Sequence, residues 1–208
     1  MHEKTIVIFT ALQIETKAVQ RALAGIRRSV YVHTIGLRAI RVPTVLPKNI
    51  GVMIVAGLGG ALDPALKVGD VVVDDPYGIV PAEVALRRGK ICTVDAIVAT
   101  PEDKSALFAS TSALAVDMEQ QHLQRLASRR KAVLIGVRSI SDTAAHTINP
   151  NLLRLVDAVG RPKPVALAAA IFEKPTLVLE MSKLAKDVKL ATDRLGAAMR
   201  TIVDALPM

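Results

Sequence analysis

Three carboxylates and a cluster of glycines are the residues of this chain whose types and positions could do chemistry. Glu15 follows an apolar run at residues 5–11, Glu119 follows one at 113–118, and Asp142 follows one at 132–139. In open α/β sheets ligands collect at the carboxyl ends of the strands, so three acids at three such ends are candidates for one site. Carboxylates there can take a proton from water, hold hydroxyls or offset a developing positive charge. Gly57, Gly59 and Gly60 follow a further apolar run at 51–56 and are expected to form a loop whose bare backbone a ligand can approach closely. Each acid also has a structural alternative. Glu15 suits the first turn of a helix, Glu119 a helix start favoured by the dipole, and Asp142 an N-cap.

The elements that must position these residues alternate. Strands are expected at 5–11, 29–35, 51–56, 70–74, 91–98, 113–118 and 132–139, from near-continuous apolar runs of the kind buried on both faces of a sheet. Helices are expected at 13–24 and 119–130, and one starting at Thr100, with Thr100 as N-cap, Pro101 at the first helical position and Asp103 as capping-box partner. Residues 37–49 are broken by Pro43 and Pro47, and Asp63-Pro64 marks a turn. The remainder reads as helix at 150–159, 164–172 and 175–206. This order implies a single α/β domain over residues 1–208. The expected architecture is a three-layer αβα sandwich with a mixed, mostly parallel central sheet and a helical C-terminal segment.

Composition narrows the function classes. The 208 residues carry a formal charge of +8, with a mean hydropathy of +0.38. Aromatic residues make up 2% and tryptophan is absent, which argues against base-stacking nucleic-acid modules. The basic clusters Arg27-Arg28, Arg87-Arg88 and Arg129-Arg130-Lys131 leave solvated charge or an anionic membrane surface as readings. The single cysteine, Cys92, excludes an internal disulfide, and His2, His33, His122 and His146 have no metal-ligand spacing. No metal and no organic cofactor are expected. The N-terminus enters a strand directly without a signal-peptide pattern, so a cytoplasmic protein is expected.

Larger motifs carry a resemblance. Gly57, Gly60, Leu62, Pro64, Leu66, Gly69 and Asp70 fall where the nucleoside phosphorylase and nucleosidase superfamily has its signature loop. Ala115-Val116-Asp117-Met118-Glu119 resembles its V-E-M-E motif, and Arg138-Ser139-Ile140-Ser141-Asp142 its R-x-I-S-D motif. Residues 94–101 (VDAIVATP), Asp117 in place of Glu, and the later Gly160-Arg161-Pro162 and Lys174-Pro175 are most similar to the hopanoid-associated nucleoside phosphorylase branch. That branch is linked to removal of adenine from adenosylhopane.

The resemblance implies cleavage of a purine N-glycosidic bond through an oxocarbenium-like ribosyl cation. Asp142 would be the general acid, kept protonated by burial, or would orient the proton donor. Glu119 would hold the ribose hydroxyls, and Glu15 would deprotonate a water. Met118 would pack under the sugar, Ile97 and Val98 would border the adenine, and Ser141 would line the site. Gly57, Leu58, Gly59 and Gly60 would border the nucleophile, water or phosphate. Phosphorolysis would need phosphate as co-substrate and an arginine such as Arg38 near the glycines; Glu15 there would repel phosphate and favour water. A methylthioadenosine, S-adenosylhomocysteine or futalosine nucleosidase is the alternative substrate class, and a non-catalytic ligand-binding protein on the same fold the alternative of a different kind. Partners expected are the nucleoside, a second copy in a homodimer, and the anionic surface of the inner membrane as a peripheral contact, with no nucleic acid.

Overall fold

A computed structural model of the chain describes residues 4–149, 157, 159–161, 163 and 177–207. Strand β1 (Thr5–Thr10) leads to helix α1 (Gln13–Ala22), β2 (Val30–Thr34), a short 3-10 turn (Leu37–Ala39), β3 (Ile50–Ala61) and β4 (Val71–Asp74). Then come β5 (Arg87–Arg88), β6 (Ile91–Thr93), α2 (Pro101–Thr111), β7 (Ala115–Asp117), α3 (Gln120–Arg130), β8 (Val133–Asp142) and the long α4 (Leu177–Ala205). The main sheet runs β2-β1-β3-β8-β4-β5, with β7 joining the end of β3 and pairing β6. β3–β7 and β4–β8 are antiparallel and the other described pairs are parallel.

The unbroken apolar strands follow from burial on both faces. Successive side chains of a strand point to opposite sides. Ile6, Ile8, Ile54, Ala56, Ile135 and Val137 pack with Val19 of α1 and with Leu195, Met199 and Ile202 of α4. Val7, Phe9, Met53, Val55 and Leu134 face the other way, onto Leu123 and Ala127 of α3. The architecture is the expected three-layer α/β sandwich with a mixed, mostly parallel sheet and a C-terminal helix.

Several boundaries differ from the sequence expectation. Gly57, Gly59 and Gly60 are not in a loop: β3 runs through them to Ala61, because β8 on one side and β7 beyond Gly59 continue to pair it. β8 likewise extends to Asp142, which is the last residue of a strand rather than a residue after it. The strand expected at 91–98 ends at Thr93, where its partner β7 also ends, at Asp117. Thr100 caps α2, accepting from Asp103 N at 3.1 Å, but the Asp103 carboxylate takes the Thr100 hydroxyl rather than the Thr100 N–H. The expected helix at 164–172 lies outside the described residues, as does most of the one at 150–159.

Candidate active site

Glu15 sits in the first turn of α1, buried, and both its oxygens are held by backbone. Oε2 accepts from Leu12 N and Oε1 from Leu58 N, each at 2.8 Å. The carboxylate thus ties the helix start to the middle of the glycine stretch of β3. Gly57 is what admits it: a Cβ there would lie 2.9 Å from Glu15 Oε1. Burial pushes the Glu15 carboxyl up to about 7; the Leu58 and Leu12 N–H groups pull it down, Glu119 pushes it up and Arg138 pulls it down. A carboxyl group titrating near neutrality is half available as a base at working pH.

Glu119 forms the N-cap of α3 without a side-chain capping bond. Its carboxylate instead reaches across the site, accepting from Arg38 N at 3.1 Å and Met118 N at 3.4 Å, with Arg138 Nη2 at 3.8 Å. Burial raises its carboxyl above the usual range, Arg138 lowers it, and Asp117 raises it again. Arg38 and Ala39 present this backbone donor from left-handed conformations, φ 58° and 55°, which non-glycine residues adopt at a cost. The Arg38 side chain itself is exposed.

Under both glutamates lies a charge pair that the sequence reading did not isolate. Arg138 is 1% exposed and donates to Asp117, and its Nη1 also donates to Val55 O at 2.6 Å. Asp117 is tied further to the Thr93 hydroxyl and to Gln120 N. Splitting such a buried pair leaves an uncompensated charge, which costs about 3–5 kcal/mol.

Asp142 is placed by an irregularity in pairing. Gly59 pairs Ile140 but Gly60 pairs Asp142, so Ser141 is an extra residue in β8. A one-residue bulge flips which side the following side chain points to. It sets the Asp142 carboxylate against Gly60, where a Cβ would be 3.1 Å from Oδ2. Ser141 Oγ lies 2.9 Å from Asp142 Oδ1 and 3.3 Å from Gly59 O. Lys104 Nζ lies 2.6 Å from Asp142 Oδ2. The expected burial of Asp142 is present, but it comes with a cation in contact.

Glu15, Glu119, Gly57, Leu58 and Met118 therefore share one neighbourhood, and Gly59, Gly60, Ser141 and Asp142 continue it along the end of β3. Val98 packs in a small apolar cluster with Leu62, Ala113 and Val116, and Val116 Cγ1 would touch a Cβ on Gly60 at 3.2 Å. Ile97 is half-buried in the segment leading to α2. Lys104 was not singled out from sequence. The signal available was a lysine in the first turn of α2, the end of a helix where the dipole disfavours a cation. Among the described residues no group of three His, Cys, Asp or Glu side chains is placed to hold a metal ion.

Comparison with known proteins bears on the fold. The family model of the phosphorylase superfamily matches residues 79–173. No curated protein sequence matches the chain. Among solved structures, futalosine hydrolase of Helicobacter pylori superposes with a TM-score of 0.67 at 17% identity, over 98% of each chain. The 5′-methylthioadenosine/S-adenosylhomocysteine nucleosidase of Neisseria meningitidis, in complex with methylthio-immucillin-A, gives 0.67 at 15% identity over 98% of this chain and 100% of that one. The corresponding nucleosidase of Streptococcus pneumoniae, in complex with 8-aminoadenine, gives 0.67 at 17% over 97% and 100%. The fold of this chain is that of the nucleoside phosphorylases and nucleosidases, and its sequence match to the phosphorylase superfamily is carried by residues 79–173.

Proposed function

We propose that the protein is a purine nucleosidase that cleaves the N-glycosidic bond of an adenosine derivative and releases adenine. One observation carries this reading: Glu15, a buried carboxyl group poised near neutral pH, stands beside Glu119 at the carboxyl end of the central strand. Glu15 takes a proton from a water as that water attacks the sugar carbon. Glu119 accepts hydrogen bonds from the ribose hydroxyls and offsets the positive charge that grows on the ring. Met118 packs under the sugar, Ile97 and Val98 border the base, and the Asp142–Ser141 pair addresses the base as acid or as the group that orients its proton donor.

Hydrolysis is favoured over phosphorolysis. Glu15 Oε1 is turned toward Leu58 N in the glycine stretch while Oε2 is held by Leu12 N at the start of α1, so a phosphate at the glycines would meet negative charge. Phosphate as co-substrate is the alternative. Adenosylhopane is the substrate that the motifs at 94–101 and 115–119 suggest. Methylthioadenosine, S-adenosylhomocysteine and futalosine are the substrate class that the structural neighbours suggest, since those proteins carry these names. A lipid-linked nucleoside would bring the protein, as a peripheral partner, to an anionic membrane such as the inner membrane of the cell. The exposed Ile40 (59%) and Val45 (85%), on the loop whose Arg38 N–H meets Glu119, support that contact. So do Arg129 and Arg130, which line a groove beside Val42 and Leu46. A homodimer is the assembly we expect.

The test is purified protein with a panel of adenosine derivatives, with and without phosphate, scored for free adenine and for the sugar product. Release of adenine with free sugar in the absence of phosphate is the expected result. A sugar phosphate formed only when phosphate is present would replace hydrolysis by phosphorolysis. No base release from any member would leave a ligand-binding protein on this fold.

A further inference from the structure

Lys104 is the feature the proposed mechanism leaves unused. It lies in the first turn of α2, is 0% exposed, and makes three donations, one for each ammonium proton. These go to Asp142 Oδ2 at 2.6 Å, Thr143 O at 2.8 Å and His146 O at 3.0 Å. The segment after β8 folds back to make this cage, with His146 N bonded to Thr143 O at 3.0 Å. An ammonium removed from water costs several kcal/mol unless it is paired and fully hydrogen-bonded, and here it is both. It also stands where the α2 dipole opposes it, so helix formation does not explain it.

We propose that Lys104 is the positioning residue for Asp142: it keeps Asp142 a carboxylate, so that Asp142 receives a hydrogen bond from the purine instead of giving it a proton. This rests on the nucleosidase reading. With the ammonium against Oδ2, a proton on that oxygen would face a donor. Oδ1 is within reach of the Ser141 hydroxyl, which donates to it or to Gly59 O. The carboxylate keeps lone pairs free for an N–H of the base. Among the described residues Lys104 is the only charged side chain in ion-pair contact with Asp142. Gly60 of β3 and Val116 of β7, which flank it, bring no charge. Arg138, Asp117 and Glu119 are engaged with one another. The leaving nitrogen then takes its proton from a water oriented by Asp142. The hydroxide so formed takes the proton that Glu15 removed from the attacking water, so the reaction balances as hydrolysis.

The full chain labelled at its aspartate carboxyl carbons, with the Asp142 signal assigned by D142N, is followed by NMR from about pH 5 to about pH 9. Wild type, K104M and K104R are compared, and adenine release is measured on the same samples. The expected result is a carboxylate signal throughout in wild type and in K104R. In K104M the signal moves toward the protonated form in the neutral range. The K104M rate falls at least about tenfold more at pH 6 than at pH 8, and K104R recovers part of it. Should K104M not fold, K104Q, which keeps a polar head for the two carbonyls, gives the same readout. A K104M signal that stays carboxylate, or a loss of rate equal at all pH, overturns the proposal. So does a K104M optimum extended to higher pH, because that would make Asp142 the acid. If wild type released no base, the nucleosidase reading would fall, and the carbon titration would still decide whether Lys104 holds Asp142 as a carboxylate.

Discussion

Above neutral pH, Glu15 is an ionised carboxylate buried to 2% exposure, a cost that the proposed role as a base would require. Its carboxyl rises from 4.5 to about 7 because burial outweighs the two N–H groups that stabilise the charge. A group raised in the folded state contributes its full stability below its unfolded value. It loses that stability as pH rises through the folded value, here between about 4.5 and 7. The shift corresponds to about 3 kcal/mol. In E15Q the titration is gone, so its melting temperature should gain on wild type between pH 5 and pH 8, by about 2–4 °C per kcal/mol in a chain of this size. A gap between the two proteins that is constant with pH would show that Glu15 does not titrate near neutrality. Activity runs the other way. Wild-type adenine release should rise with pH through about 7, and E15Q should lose the phosphate-independent reaction. E119Q and D142N should each cut turnover by about 10²–10⁴, as expected for loss of a positioned charge at a reacting centre; D142N, which leaves the buried Lys104 ammonium without its carboxylate, should also lose about 3–5 kcal/mol of stability. Near wild-type rates in both would show the site to be elsewhere.

At the level of elements, β3 is where the sequence and the structure part most usefully. Three glycines after an apolar run look like a loop made for a ligand, yet here they are strand residues whose missing side chains admit the protein's own groups. Glu15 stands over Gly57, Val116 O and Arg138 over Gly59, and Asp142 over Gly60. G57A tests this. Its Cβ would fall 2.9 Å from Glu15 Oε1, and the carboxylate, held by Leu12 N and Leu58 N, must give up one of these bonds. Loss of one such bond to a charged acceptor is worth about 1.5–3 kcal/mol. G57A should therefore cost at least tenfold in adenine release, with the circular dichroism of the sheet unchanged; full activity would mean that Glu15 needs no close approach to β3. What was legible beforehand was the alternation of strands and helices, because burial on both faces leaves its mark residue by residue, as in Ile6 to Phe9. The acids at strand ends were legible as types in places. The bulge at Ser141 that aims Asp142 was not, because register depends on the partner strand. Lys104 was not, because its burial is decided by Asp142 at the end of β8 and by the segment after it, 38 to 42 residues further on. The left-handed Arg38 and Ala39 were also hidden, since neither residue type signals that backbone.

Across the whole molecule the question is where an apolar, basic protein puts its surplus. The long C-terminal helix reads as an amphipathic stripe, and the structure uses its second half in the core: Leu195, Met199, Ile202 and Val203 are buried against α1 and the sheet. L195A should cost about 2–5 kcal/mol, as for other large-to-small changes in a packed core, measured by denaturant unfolding. No described helix is long and apolar enough to cross a membrane. If the substrate is a nucleoside carried on a lipid, contact with the bilayer would come from outside the packed half of α4. A formal charge of +8 would supply the attraction, worth about 1 kcal/mol for each lysine or arginine at an anionic surface. Exposed side chains such as Val45 would supply shallow insertion. Flotation with anionic liposomes should then capture the protein at low salt and release much of it at high salt, while neutral liposomes capture less. V45D should weaken capture without changing turnover of a small soluble nucleoside, because Val45 is 85% exposed and serves no part in the chemistry proposed for Glu15, Glu119 and Asp142. Absence of binding at either salt would move the substrate from a membrane lipid to a small soluble nucleoside of the methylthioadenosine or futalosine kind.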